Sequence, residues 1–366
     1  MRDDFYKRAY SKNNDYDYYY EENTEYNAPE APNEDFKIAK GAFSRFGLSL
    51  SAFSIVAYAV ILVTYLALIL IFKDTYNEII SNVYFTWILN FVPMYLIAFP
   101  VLYLIVAKMP TVKRRKSTLG LDEFVLLFFV SQGIMIVGNF IGVALNGIIS
   151  MLLGREITNS VSALIENSPM WIIALVVVIV GPIVEELIFR KLMIDRLGRF
   201  GDRVAIVVSS VAFGLFHGNL YQFFYAAGIG LVLGYLYTKT GKIIYPVIMH
   251  MIINFMGSVV AIPISEFALE FEELLLALSE GGSVDMYRLV ISYIVCASYA
   301  LLEYGMAIAG IVILIKMLLN HSIYVDNTAE ITIPKHKIAS TVILNVGAIV
   351  FLLISLVQII INVFWS

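Results

Sequence analysis

The sequence predicts an all-α protein that crosses a membrane several times, as a helical bundle of about nine transmembrane helices. Of its 366 residues, 60% are hydrophobic and only 15% are charged, far from the composition of a soluble globular protein. Apolar runs near or above the roughly 18 residues that span a bilayer recur from residue 51 onward. Only helices and closed barrels satisfy the backbone in lipid, and these runs lack the alternation of barrel strands. The predicted spans are 51–72, 86–107, 123–150, 169–196, 204–219, 222–238, 243–262, 288–315 and 339–364.

Composition also predicts how the chain is organised around these spans. Residues 1–45 form an acidic, Tyr-rich tail around DYDYYYEENTEY, which we expect to be disordered. N-terminal helices then occupy 46–119, a central helical segment 120–262 and C-terminal helices 263–366. Lys and Arg concentrate in every second loop, KMPTVKRRK among them, which predicts a cytosolic N-terminus for a multi-pass protein of the plasma membrane.

Charge and cysteine content exclude other classes of function. The net charge is −4 and no basic stripe is present, so we expect no nucleic-acid partner. Cys296 is the single cysteine, so the chain can form neither an intramolecular disulfide nor a thiolate metal cluster.

Prolines and glycines within the spans predict local helix geometry. Pro93 and Pro100 should kink the second span, and Pro182 should loosen the fourth. Gly230 and Gly234 are four residues apart in an apolar run, which indicates close packing against another helix.

Ionisable and strongly polar residues cluster in the central spans. Burying a charge at that depth costs several kcal/mol, so such residues usually have a function. At a rise of 1.5 Å per residue, the fourth, fifth and seventh spans bring such groups roughly 12 to 21 Å from their basic ends. A common depth predicts one shared cavity, because charges that share water and partners are more stable than charges facing lipid. The residues are Glu185, Glu186, Arg190, His217, His250 and Asn254.

Helical spacing separates the two adjacent glutamates. Glu186 and Arg190 are four residues apart and can pair on one face, whereas Glu185 is turned about 100° away. Glu185 is therefore expected to be free and, when desolvated, suited to take a proton from water. His250 and Asn254 repeat the four-residue spacing.

Together these groups match what amide hydrolysis needs: an activated water, a proton donor and donors for an oxyanion. A polar network that only joins helices or conducts protons explains the same residues.

Three motifs, in this order along the chain, favour the hydrolase over the polar network. EELIFR (185–190), FGLFH (213–217) and HMIIN (250–254) fit E-E-x-x-x-R, F-x-x-x-H and H-x-x-x-N. They resemble the signature of the CPBP family of intramembrane proteases, which includes CAAX prenyl proteases and bacteriocin-processing or self-immunity proteins. The resemblance covers about residues 120–262 and implies that this segment is the catalytic core. It implies that Glu185 activates water, that His217 also contacts it, that His250 and Asn254 stabilise the oxyanion, and that Glu186, Arg190 and Phe213 support the site.

The resemblance leaves the use of metal open, since the family has been described both as metalloproteases and as glutamate proteases. A zinc site made of Glu185, His217 and His250 is sterically conceivable. The H-E-x-x-H motif is absent, however, so metal-independent chemistry is preferred and no cofactor is required.

The expected partners are the lipid bilayer and a membrane-embedded or lipidated peptide or protein substrate. Two rivals to a protease stay open, a proton-coupled transporter in which Glu303 extends the polar path and a non-catalytic immunity or scaffold protein.

Overall fold

Helices make up every regular element in the described part of the chain, which comprises residues 33–157, 164–165, 168–325 and 329–365 of the computed structural model. The predicted all-α class is therefore confirmed. The predicted tail lies outside the described residues up to residue 32. In chain order the helices are α1 (Asn33–Ile71), α2 (Tyr76–Ser81), α3 (Val83–Val106), α4 (Leu121–Leu153), α5 (Met170–Phe200), α6 (Asp202–Phe216), α7 (Leu220–Thr240), α8 (Ile244–Ser279), α9 (Met286–Leu319), α10 (Ile338–Val342) and α11 (Val346–Trp365).

Eight helices in the described ranges are long and apolar enough to cross a membrane, one fewer than the nine predicted. The difference is the fifth predicted span, 204–219, which forms α6 with only 15 residues. At 1.5 Å per residue this helix is about 22 Å long, less than the hydrocarbon thickness of a bilayer. It ends at Phe216, next to the polar cluster described below.

Helix α1 begins earlier than expected. The sequence assigned residues 33–45 to the disordered tail, but they are helical from Asn33. Ala39 and Phe43 are buried, and the ring of Phe43 lies 5.6 Å from that of Phe200 at the end of α5. Because this apolar partner is far away in the sequence, local composition did not reveal that the segment is ordered.

Glycines set the closest helix approaches around the centre of the bundle. A Cβ added to Gly230 of α7 would lie 2.9 Å from the Cα of Ser210 in α6, which is too close for any larger residue without movement. Gly138 of α4 similarly faces the backbone of Tyr225 in α7. Such contacts let backbones pack tightly in a membrane, where small residues favour helix association. The packing role predicted for Gly230 is thus confirmed.

The terminal helices α1 and α11 pack against each other. Gly47 of α1 and Gly347 of α11 leave no room for a Cβ at their crossing, and the backbone N–H of Gly347 donates to the Ser44 hydroxyl at 3.0 Å. Helix α8 runs without interruption through residue 262.

Helix α5, which carries the two glutamates, alternates between α- and π-helical turns. A π-helical segment, Ala174–Val180, precedes a short α-helical stretch, Gly181–Glu186, and a second π-helical segment, Leu187–Ile194, follows it. Pro182 lies at the first junction, and because it has no N–H it cannot donate to the preceding turn. Pro93 likewise opens a π-helical segment in α3, Pro93–Ala98. Widened turns of this kind re-aim side chains and are frequent at functional sites.

A buried ionic cluster fastens the end of α5 to the loop that precedes α4. The Arg114 guanidinium bonds to Asp195 and to Asp202, both at 2.8 Å. Asp195 also accepts from the ammonium of Lys191 at 2.8 Å and from the Tyr237 hydroxyl at 2.9 Å. The carboxylate of Asp195 is therefore fully partnered, and these contacts fix the rotation of α5 about its own axis.

Candidate active site

Glu186 and Arg190 form a fully buried ion pair on one face of α5. Neither side chain is exposed, and the Arg190 Nε lies 3.0 Å from the Glu186 Oε2. The other carboxylate oxygen, Oε1, is 3.0 Å from the Nδ1 of His250. Glu186 is thus held between a guanidinium and an imidazole.

Phe213 lies under this pair and joins three of the charged or polar side chains. The Arg190 guanidinium stands over its ring at 4.7 Å from the centroid. The rings of His217 and His250 lie nearly perpendicular to the Phe213 ring, with their centroids 4.9 and 5.6 Å from its centroid. The guanidinium nitrogens have no well-aligned hydrogen bond among the described residues, so charge and the aromatic face carry most of their stabilisation.

Glu185 points to the other side of the same imidazole. Its Oε2 lies 3.6 Å from the His250 Nε2, and its side chain is 19% exposed, whereas that of Glu186 is inaccessible. Sequence reasoning separated the two glutamates but expected no cation beside Glu185. The structure instead places His250 between the two carboxylates.

His217 has a defined orientation at the end of α6. Its Nδ1 lies 2.8 Å from the carbonyl oxygen of Phe213, which can only accept, so Nδ1 carries the proton in the neutral ring. The Nε2 lone pair is then left unpaired on the side of Glu185 and His250, with which His217 interacts electrostatically. Gly218 follows with φ +65°, a left-handed conformation that lets the chain turn directly into α7.

Asn254 reaches the same region from α8 but is oriented by backbone. One of its amide N–H groups donates to the carbonyl oxygen of Val177 at 2.9 Å. Val177 lies in the π-helical part of α5, where widened turns leave carbonyls available. The second N–H of the Asn254 amide has no protein partner in the described residues and is available to a ligand.

Two tyrosines near Glu185 were missed by the sequence analysis. Tyr95 of α3 and Tyr225 of α7 both interact electrostatically with Glu185, and Tyr225 is also hydrogen-bonded to Gln222. Neither belongs to a motif, and tyrosines are frequent in this chain, so their positions became visible only once the helices were packed. Glu303 of α9, the other intramembrane acid, is half-buried and interacts with Tyr299 of its own helix.

The side chains do not form a ready metal site. In the described ranges, no group of three His, Cys, Asp or Glu residues converges so that it could hold a metal ion. Glu185 and His250 come close, and because the Nδ1 of His250 bonds to Glu186 and that of His217 bonds to a carbonyl, each imidazole keeps its Nε2 for the site. Glu185, His217 and His250 nevertheless do not converge on one point in this arrangement.

Comparison with known proteins matches the segment that carries these residues. Residues 167–256 match a family model described as type II CAAX prenyl endopeptidase Rce1-like. A Bacillus subtilis (strain 168) protein named "Putative membrane peptidase YdiL" is 36% identical over 105 residues. That match covers 28% of this chain and 42% of the relative, so the chain spans less than half of that relative's length. No solved structure matches.

Proposed function

We propose that the protein is an intramembrane endopeptidase of the CPBP family, because residues 167–256, which carry the three motifs, match the type II CAAX prenyl endopeptidase model. It hydrolyses a peptide bond in a membrane-associated substrate, by CAAX-type processing of a prenyl-protein or by processing of a hydrophobic peptide such as a bacteriocin. The observation that supports the proposal most is the difference between the two glutamates. Both oxygens of Glu186 face Arg190 and His250, whereas Glu185 remains partly accessible beside an imidazole nitrogen.

Glu185 and His217 would hold the attacking water. Both offer acceptors, one through a carboxylate oxygen and the other through the Nε2 lone pair left by its bond to Phe213. A water that donates one hydrogen to each directs a lone pair of its oxygen at the scissile carbonyl. As the new C–O bond forms, the proton moves to Glu185, which acts as the general base.

Each imidazole nitrogen of His250 faces a carboxylate, Nδ1 at 3.0 Å from Glu186 and Nε2 at 3.6 Å from Glu185. An imidazolium donates from both nitrogens, from Nδ1 to Glu186 and from Nε2 into the cavity. Once Glu185 has taken the proton from water, Nε2–H and the second N–H of Asn254 stabilise the tetrahedral oxyanion. Collapse breaks the C–N bond, and the protonated Glu185 returns its proton to the leaving amine.

A groove beside the catalytic helix supports access for an extended peptide. It has a volume of about 320 Å³ and lies between α3, the loop after it and α5, on the turns that follow Glu185. Its walls are partly apolar and partly charged, so it suits a chain that enters from the membrane boundary. The lining includes Phe99, Tyr103, Leu187, Lys191, Leu192 and Arg196.

We further propose that the reaction is independent of metal, because Glu185, His217 and His250 do not converge on one point among the described residues. Activity of the reconstituted protein should be unchanged after treatment with a strong chelator. Loss of activity with the chelator, followed by rescue with zinc, would overturn the metal-independent mechanism but leave the protease assignment in place.

The function itself is tested by comparing membrane peptides from cells with wild-type protein and cells with Glu185→Ala. New peptide termini should occur in the wild type and be lost in the variant. Identical sets of termini in both strains, at equal protein levels, would remove the protease assignment. The same comparison identifies the substrate, because the lost termini mark its cleavage site.

A further inference from the structure

Tyr95 lies against the catalytic helix although it is outside residues 167–256, which match the family model. It belongs to the π-helical segment of α3, and its half-buried ring packs beside Phe91 at 5.5 Å between centroids. Its hydroxyl faces Gly181, and a Cβ added there would lie 3.2 Å from the hydroxyl oxygen. Gly181 is one helical turn before Glu185, so the hydroxyl and the carboxylate are neighbours along α5.

The hydroxyl of Tyr95 has no hydrogen-bond partner among the described residues, although it interacts electrostatically with Glu185. The other tyrosine near Glu185 differs, because Tyr225 is bonded to Gln222. Because the hydroxyl of Tyr95 is unpaired and can donate, it is available to the neighbouring carboxylate of Glu185.

We infer that Tyr95 is a positioning residue whose hydroxyl, unpaired in this structure, turns by a small side-chain rotation to donate a hydrogen bond to the Glu185 carboxylate. A carboxylate accepts at both oxygens, so one oxygen bound to Tyr95 leaves the other directed at the water. The inference rests on the proposed function, since it assigns Tyr95 a part in orienting the general base. It also explains a glycine at 181, because a larger residue would push the hydroxyl away from the helix.

The decisive variant is Tyr95→Phe, which removes one oxygen atom and keeps the ring beside Phe91. Its matched control is Tyr84→Phe on the same helix, where the ring stacks on Trp171 at 6.3 Å, away from Glu185. In reconstituted protein, kcat should fall roughly 10- to 100-fold in Tyr95→Phe, as is typical when a residue that orients a catalytic group is lost. KM should stay unchanged, and Tyr84→Phe should match the wild type in both constants.

A second readout does not depend on activity. The infrared carboxylate band of Glu185, identified by subtracting the spectrum of Glu185→Gln, should shift in frequency in Tyr95→Phe and not in Tyr84→Phe. An unmoved band overturns the inference, even if kcat falls, because the effect would then be structural. If the wild type cleaves no substrate, the proposed function fails. The infrared band of Glu185 still shows whether the Tyr95 hydroxyl bonds to its carboxylate.

Gly181→Ala supplies an independent check through a double-mutant cycle. The added methyl group crowds both the Tyr95 hydroxyl and the carbonyl oxygen of Val176, at 3.2 and 3.1 Å. If Gly181→Ala acts by displacing the hydroxyl, it should lower kcat in the wild type but add little to Tyr95→Phe. Fully additive effects of the two substitutions would contradict the inference.

Discussion

Removing the positive charge of Arg190 should destabilise the protein far more than removing that of its neighbour Lys191. Both are cations paired with a carboxylate four residues away on α5, at 3.0 and 2.8 Å. Arg190 and Glu186 are completely buried, whereas the Lys191 side chain is 54% exposed. Arg190→Met leaves Glu186 buried with His250 as its remaining partner, which should cost about 3–5 kcal/mol of unfolding free energy. Lys191→Met removes a solvent-screened pair and should cost less than about 1 kcal/mol.

The assay is unfolding in mixed detergent micelles, followed by tryptophan fluorescence, with both variants and the wild type measured side by side. The double variant Glu186→Gln/Arg190→Met should recover most of the loss, because removing both charges of a buried pair is close to neutral. Equal costs for Arg190→Met and Lys191→Met, or a double variant as unstable as Arg190→Met, would refute the reasoning.

Three further outcomes follow from the packing and from the rival functions. Gly310→Ala should destabilise the fold by about 1–3 kcal/mol in the same unfolding assay, because its Cβ would collide with the Phe129 carbonyl. Its control is Gly305→Ala on the same helix, where the added methyl group has open space and should be neutral or slightly stabilising. Asp195→Asn should cost about 3–5 kcal/mol, since Arg114, Lys191 and Tyr237 all bond to this carboxylate; a cost near zero would mean that the ionic cluster does not fix α5. Glu303→Gln should leave peptide cleavage unchanged, and proton flux in liposomes that vanishes in Glu303→Gln but survives Glu185→Gln would favour the transporter.

Much of the site could be predicted from the spacing of residues within single helices. The four-residue interval predicted that Glu186 and Arg190 share a face, and their nitrogen and oxygen are 3.0 Å apart. The common depth of three spans predicted that their polar groups meet, and His217, His250 and Glu185 do interact; that they line one cavity stays a prediction. These relations need only the pitch and rise of a helix, which the sequence determines.

Relations between helices were less accessible. The sequence could not place His250 between two carboxylates, because that contact depends on the rotation of α8 relative to α5. The bond from Asn254 to the Val177 carbonyl depends on a π-helical turn; Pro182 predicted a loosened helix nearby but not which carbonyl would be available. Tyr95 became a candidate only through tertiary packing, and α1 extends to Asn33 because Phe43 finds a partner near residue 200.

The most direct test of the account is the turnover of a membrane-bound peptide by reconstituted protein with the nearly isosteric change Glu185→Gln. This substitution keeps the size of the side chain and removes the base, so the cleavage rate should fall roughly 10²- to 10⁴-fold, while unfolding free energy stays close to that of the wild type. Cleavage at the wild-type rate by correctly folded Glu185→Gln would contradict the assignment of Glu185 as the residue that activates water.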